Sequence, residues 1–260
     1  MEIIPVSDTD SQFLFVPLSY QFNSKNMKRL TALLMSVMVA AGIQAQIAGE
    51  ELATGINDPL QGKVVNVLGD SYVRNHRRPF EEAWHYQVAA LHGMKYNNYG
   101  RNGGCVAFDR SSEGFGPSLL VRYKEMDAEA DLVLIIAGHN DAGIVGNSKE
   151  KLAVFADSLD LLLNKVKEQC PKARIAWVTP WWVDRDGFKP VVRMIKKVCK
   201  RHRVPVLDNY KKSCVVKVRD AAFRKQYFQG ADDTAHLNKE GHQLFLPVGD
   251  AFVKKVMNCQ

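Results

Sequence analysis

The chain has 260 residues, of which 46% are hydrophobic and 24% charged, and carries a formal net charge of +7. That length supports one sizeable α/β core and is short for two, and the balance excludes a disordered, collagen-like or disulfide-dense chain. The basic residues are scattered with acids between them, as at 196–197, 200–203 and 211–212, so the surplus reads as solvated helix faces and not as a nucleic-acid site.

In chain order, residues 27–45 come first as a recognisable unit. Met27, Lys28 and Arg29 give a basic start, Leu30 to Ile43 an apolar stretch, and Ala45 a small-residue exit, which together read as a signal peptide cleaved after Ala45. The stretch is short for a bilayer span, so no stable membrane insertion is expected after cleavage. Residues 1–26 are an upstream extension that includes Asp8, Asp10 and a mixed polar run unusual in front of an export signal, which makes Met27 the expected true start. The first cysteine is Cys105, so no lipoprotein cysteine stands at the cleavage point, and the expected location is periplasmic or extracellular. Residues 46–60 read as a lead-in.

From 61 to 260 short β-branched runs alternate with longer amphipathic stretches, the pattern of βα units around a parallel sheet. Strands are expected at 63–68, 95–99, 131–137, 174–179 and 204–207. Val133 to Ile136 is continuously apolar, as a strand covered on both faces requires. Helices are expected at 79–91, 117–126, 149–168, 189–201 and 239–257, with a further candidate at 211–227. Pro79 with Glu81 and Glu82 suits a first helical turn, and Asn238 suits an N-cap. No linker or repeat divides this span, which reads as one domain.

The five cysteines, Cys105, Cys170, Cys199, Cys214 and Cys259, form no CxxC pair and no zinc spacing. One or two disulfides are allowed in an oxidising compartment, with partners undetermined. Neither a metal nor a cofactor is expected.

In an open α/β sheet ligands bind beyond the carboxyl ends of the strands, so the segments just after each run matter most. After the first strand comes Gly69-Asp70-Ser71-Tyr72. After the second comes Asn98 to Gly104, and after the third Gly138-His139-Asn140-Asp141; Asp233-Thr234-Ala235-His236 precedes the last helix. A serine hydroxyl becomes nucleophilic only when a base takes its proton, and the oxyanion that forms needs donors already in place. Ser71 is the candidate nucleophile, His236 the base and Asp233 the group that orients the imidazole, with Asp232 as the alternative acid. The candidate oxyanion donors are the N–H groups of Ser71 and Gly103 and the side-chain amide of Asn140. Taken singly, each segment also fits an ordinary turn or helix start.

Taken in order, these four blocks resemble the SGNH hydrolase family, also called GDSL esterases. The resemblance covers nearly all of the chain after the leader. It implies a flavodoxin-like three-layer α/β/α sandwich around a five-stranded parallel sheet, a Ser/His/Asp mechanism, and metal-free hydrolysis of esters or thioesters. The first block departs from the usual pattern, since Tyr72 stands where leucine is common. Absence of Gly-x-Ser-x-Gly and of a GxxxxGK[ST] loop argues against an ordinary α/β-hydrolase elbow and a phosphate loop.

Trp181 and Trp182 follow the fourth strand and suit a sugar ring or an acyl chain; Tyr72, Arg101 and His139 flank the proposed nucleophile and oxyanion glycine. Export and a polar aromatic rim favour a short acyl group, such as acetyl, on a small-molecule or glycan ester. The alternatives are a lysophospholipase, thioesterase or arylesterase, or a carbohydrate-binding protein without turnover. His76, His85, His92 and His202 join no constellation in the sequence, and His242 reads as a helix-packed or solvated position.

Overall fold

A computed structural model describes residues 58–259. The extension at 1–26, the expected signal peptide at 27–45 and most of the lead-in lie outside the described residues.

Five strands form one wholly parallel sheet: β1 (Val64–Gly69), β2 (Lys95–Gly100), β3 (Leu132–Ile136), β4 (Arg174–Val178) and β5 (Val206–Leu207), in the spatial order β2-β1-β3-β4-β5. Every residue of β3, Leu-Val-Leu-Ile-Ile, is buried, as expected of a central strand with helices on both faces. The polar Asn66 sits fully buried in β1 because its amide is satisfied: it donates to the Asp127 carbonyl at 2.8 Å and accepts from Asn97 at 3.0 Å.

Among the described residues eight α-helices join the strands. They are α1 (Ser71–Arg74), α2 (Trp84–Leu91), α3 (Leu119–Arg122), α4 (His139–Val145), α5 (Lys149–Gln169), α6 (Phe188–Arg201), α7 (Ala221–Tyr227) and α8 (Lys239–Met257). Helices α2, α7 and α8 pack as one group, and α3, α4, α5 and α6 as another. Side-chain caps fix the starts of several: Ser148 accepts from the Lys151 N–H and Asn238 from the Gly241 N–H.

Register places the site. Gly69 pairs with Gly100 of β2 on one side and with Ile136 of β3 on the other, so these three strands end level. The chain leaves β1 for β2 on one side and later returns to β3 on the other. Residues 70–71, 101–104 and 138–141 therefore emerge together at the topological switch point, where such sheets bind ligands.

Several boundaries differ from the sequence expectation. β1 starts and ends one residue later, and β5 is reduced to two residues because Pro205 has no N–H for the ladder; only its carbonyl is used, by the Trp177 N–H at 2.9 Å. The stretch 79–91 divides into a 3₁₀ turn at Phe80–Glu82 and then α2, since Ala83 between them is extended. The stretch 117–126 divides likewise into α3 and a 3₁₀ turn at Tyr123–Glu125. Of 211–227 only α7 is helical, starting where Asp220 accepts from the Ala222 and Phe223 N–H groups. Helix α4 was not expected; Gly138, at φ +113°, turns the chain straight from β3 into it.

No disulfide forms among the described residues. Cys105, Cys170, Cys199 and Cys214 are buried free thiols and Cys259 is half-buried. Their shared fate is burial in apolar surroundings, which raises the pKa of the first four. The α2–α8 contact is instead fastened by His92, whose Nδ1 lies 2.5 Å from Asp58 and whose Nε2 lies 2.6 Å from Asp250 on α8. Burial alone would lower the His92 pKa, but the two carboxylates outweigh it and raise it.

Candidate active site

Ser71 is the first residue of α1. Asp70 caps that helix by accepting from the Tyr72 N–H at 2.9 Å, which fixes the turn leaving β1 and holds Ser71 at the carboxyl edge of the sheet. The Ser71 side chain is almost wholly buried, with Oγ 2.8 Å from Nε2 of His236. On the far side of the imidazole, Nδ1 lies 2.9 Å from Asp233 Oδ2. A carboxylate only accepts, so Nδ1 carries the proton and Nε2 is left to accept from the serine hydroxyl.

The other oxygen of Asp233 accepts from the backbone N–H groups of Ala235 and His236 at 2.7 and 2.9 Å, so the carboxylate and the ring are held by one short loop. Burial pushes against ionisation of Asp233, yet these hydrogen bonds and the imidazole prevail and hold its pKa below the usual value. The neighbouring Asp232 is exposed and lines a separate groove.

The candidate oxyanion donors converge from three loops. Among the described residues, the Ser71 and Gly103 N–H groups have no acceptor. Gly103 has φ +71°, and a Cβ there would fall inside the Phe115 ring, so only glycine fits. The Asn140 amide donates to the Gly104 carbonyl at 2.9 Å, tying α4 to this loop and leaving its second N–H close only to Asp70, at 3.5 Å. Asp141 adds a second tie. Its carboxylate, fully buried, accepts from the Val106 and Ala107 N–H groups at 2.9 and 3.0 Å. Burial raises Asp141 to about 6 and Asp70 to about 8; for Asp70 the nearby Asp141 adds to the effect.

The five flanking residues part company. Tyr72 and Trp181 line a cavity of about 10 Å³ beside Ser71 and His236, closed beneath by Ile136, Val178 and Leu237. Trp181 is no open platform: it is buried, donates to the Ala235 carbonyl at 2.8 Å and packs edge-on to Tyr72 and Phe245. His139 lies 3.0 Å from the Tyr72 hydroxyl. Arg101 is exposed with its side chain laid over Gly116, and Trp182 faces different grooves; neither reaches the cavity.

Two nearby residues were missed in the sequence. His76 follows α1 in the left-handed region (φ +46°) and stacks on His236, with centroids 4.1 Å apart and planes 13° from parallel. Burial lowers its pKa, and so does His236. Asn75 and His76 make a tight turn in this region, where Asn and His are among the non-glycine residues found most often. That turn is held by Asn75, which donates to the Pro79 carbonyl at 2.6 Å and lies 3.0 Å from Nε2 of His242. Arg185 is the second: its guanidinium donates to Nε2 of His139 at 3.1 Å, which leaves the His139 proton on Nδ1, facing the Tyr72 hydroxyl. Burial, then Arg185, lowers His139 to about 3, so the ring stays neutral. Spacing gave no signal for either contact. His242, helix-packed as read, is buried and lowered to about 3 by burial. His85 is buried against Tyr96, and His202 pairs with Asp160.

Among the described residues no cluster of three His, Cys, Asp or Glu side chains is placed to hold a metal, and no helix is long and apolar enough to cross a membrane. What the arrangement can do is move a proton between a hydroxyl and an imidazole beside converging N–H donors, the equipment of acyl transfer. A fold with this equipment at the switch point of a parallel sheet defines a hydrolase of the serine-nucleophile kind.

The GDSL-like Lipase/Acylhydrolase family matches residues 67–244, and the chain belongs to that family: it is a carboxylic ester hydrolase. No curated protein matches the sequence. Solved structures share the fold. A Lactobacillus plantarum protein is 20% identical with TM-score 0.59, over 75% of this chain and 97% of that one. The acetyl xylan esterase AlAXEase is 16% identical with TM-score 0.56, over 75% and 99%. The psychrotrophic esterase EstA from Pseudoalteromonas sp., inhibited by monoethylphosphonate, is 18% identical with TM-score 0.56, over 75% and 99%.

Proposed function

We propose that this esterase removes short acyl groups, acetyl above all, from a carbohydrate. The observation that carries the reading is the cavity beside Ser71. At about 10 Å³ it has room for roughly one water-sized group, which suits a methyl. Its walls are fixed: Trp181 is hydrogen-bonded, and Ile136 and Val178 belong to central strands. The acetyl xylan esterase among the structural neighbours fits the same substrate class.

In this reading the Ser71 hydroxyl oxygen attacks the ester carbonyl while His236 Nε2 takes its proton, and Asp233 stabilises the imidazolium. The carbonyl oxygen, now negative, is met by the N–H groups of Ser71 and Gly103 and by the Asn140 amide. His236 then gives its proton to the departing sugar oxygen. A water molecule, deprotonated by the same histidine, then adds to the acyl carbon; the bond from that carbon to Ser71 Oγ breaks, His236 returns the proton to Oγ, and the carboxylic acid leaves.

Hydrolysis of p-nitrophenyl esters from acetyl to long acyl, compared with Ser71→Ala, tests the reading. Serine-dependent turnover confined to the shortest chains is expected; preference for long chains overturns the acetyl assignment. Secretion is proposed on residues 27–45, and an N-terminus at Gln46 in protein recovered outside the cytoplasm is its test.

A further inference from the structure

The charge that reads as scattered in sequence gathers, in three dimensions, around Trp182. Four grooves adjoin along the ends of β4 and β5. One, of about 470 Å³, starts at Asp232 and Thr234, the neighbours of Asp233, and runs along Asp184 and Arg185. A second, of about 790 Å³, shares Asp184 and Arg185 and reaches Trp182. Two smaller ones, of about 220 and 310 Å³, open on Trp182 and share Lys212. Their walls hold nine cationic side chains against five acidic ones, a surplus of four in a molecule whose whole surplus is seven.

Four of the five acids are already occupied, and the fifth, Asp232, is exposed with no cationic partner among the described residues. Asp208 holds Lys196 at 2.5 Å, Asp184 holds Arg219 at 3.0 Å, Asp186 accepts from Asn147, and Asp220 caps α7. Lys189, Arg193, Lys211 and Lys212 have no acidic partner among the described residues. Trp182 is half-buried, with the Arg219 guanidinium 4.6 Å and the Lys212 ammonium 5.6 Å from its ring centroid. A half-buried indole flanked by the Asp184-paired Arg219 and by the unpaired Lys212 offers apolar contact for a sugar ring and charge partners for acidic groups along the same polymer.

We infer that the grooves around Trp182 bind a polyanionic glycan, one bearing carboxylate or sulfate groups along its chain, and lead it past Arg185 to Ser71. The inference rests on the esterase reading only for its direction towards Ser71; the binding stands by itself. A nucleic acid would also meet the charge, but it offers no carboxylic ester to the site that the groove adjoins.

The test is affinity electrophoresis of the full chain carrying Ser71→Ala, in gels containing polygalacturonate, dextran sulfate, neutral xylan or double-stranded DNA. The two acidic glycans separate carboxylate from sulfate recognition. At least one of them is expected to retard the protein, with xylan giving little retardation. Lys211→Glu/Lys212→Glu should weaken that retardation at least tenfold, and Trp182→Ala should weaken it at unchanged net charge. Lys151→Glu/Lys255→Glu makes the same charge change on α5 and α8 and should cost under threefold. Equal loss in the control pair shows unlocalised charge attraction and overturns the inference, as does equal retardation by xylan or stronger retention by DNA. Because the serine is absent throughout, failure of the esterase reading would leave this result unchanged.

Discussion

Replacing Gly103 with alanine tests the oxyanion assignment and the fold's demand for glycine in one step. At φ +71° an L residue costs roughly 1–2 kcal/mol. The new methyl would also lie within the Phe115 ring, which would have to shift. The Arg110 guanidinium covers it at 4.2 Å while donating to the Gly103 carbonyl at 3.1 Å and pairing with Glu113 at 2.6 Å. Overpacking of this kind costs a further ~1–3 kcal/mol. A loss of about 2–5 kcal/mol lowers the thermal midpoint of a domain of roughly 200 residues by about 4–20 °C. Displacing one oxyanion donor should lower kcat by about 10²–10³ with little change in KM. Thermal unfolding and p-nitrophenyl acetate kinetics read both effects. Adding Phe115→Leu should recover part of the midpoint, since it relieves the overlap and leaves the strained φ. A Gly103→Ala enzyme with kcat within threefold of wild type would refute the donor assignment.

His92→Gln should lower the thermal midpoint most between about pH 4 and 6.5. The raised His92 pKa gives stability that is full below its unfolded value and lost as pH rises through the folded one, while the lowered Asp58 and Asp250 lose theirs as pH falls through their folded values. A midpoint difference that does not narrow at alkaline pH contradicts the ion-pair account. Asp70→Asn keeps the cap on α1 but removes an acid raised to about 8. The wild type binds a proton there that the unfolded chain has released, so it loses stability from about pH 4 to 8, and the variant should show a flatter midpoint over that range. His76→Ala should cut kcat about 3- to 10-fold, in line with the ~0.5–1.5 kcal/mol of an aromatic stack, and His76→Phe should restore most of it. Equal rates for wild type and His76→Ala would show that the stack does not hold the imidazole.

Much of the scaffold could be read from residues because parallel strands are apolar through their length. Leu132 to Ile136 admits few other readings once buried on both faces, and the segments after β1, β2 and β3 follow from register. Helix α4 was missed because Gly138-His139-Asn140-Asp141 has turn composition, and only the fold shows it entering a helix through a left-handed glycine. The stretch 211–220 is not helical, and its Lys212 and Cys214 carbonyls accept instead from the Lys217 ammonium. His76, His92 and Arg185 were unreadable for a common reason. Each meets partners far along the chain, and spacing arguments see only neighbours. Trp181 and Trp182 show the limit in two adjacent letters: one is locked under the site, the other stands half-open among cations.

The bond between Ser71 and His236 joins residues 165 apart, with donors from two further loops between them. A fragment that lacks either residue can therefore carry no serine-dependent activity. Synthesis proceeds from the N-terminus, so the nucleophile is made 165 residues before its base. A nascent chain holds a chemically ordinary serine until the 233–236 loop has folded against it, and ester cleavage reports that this loop is in place.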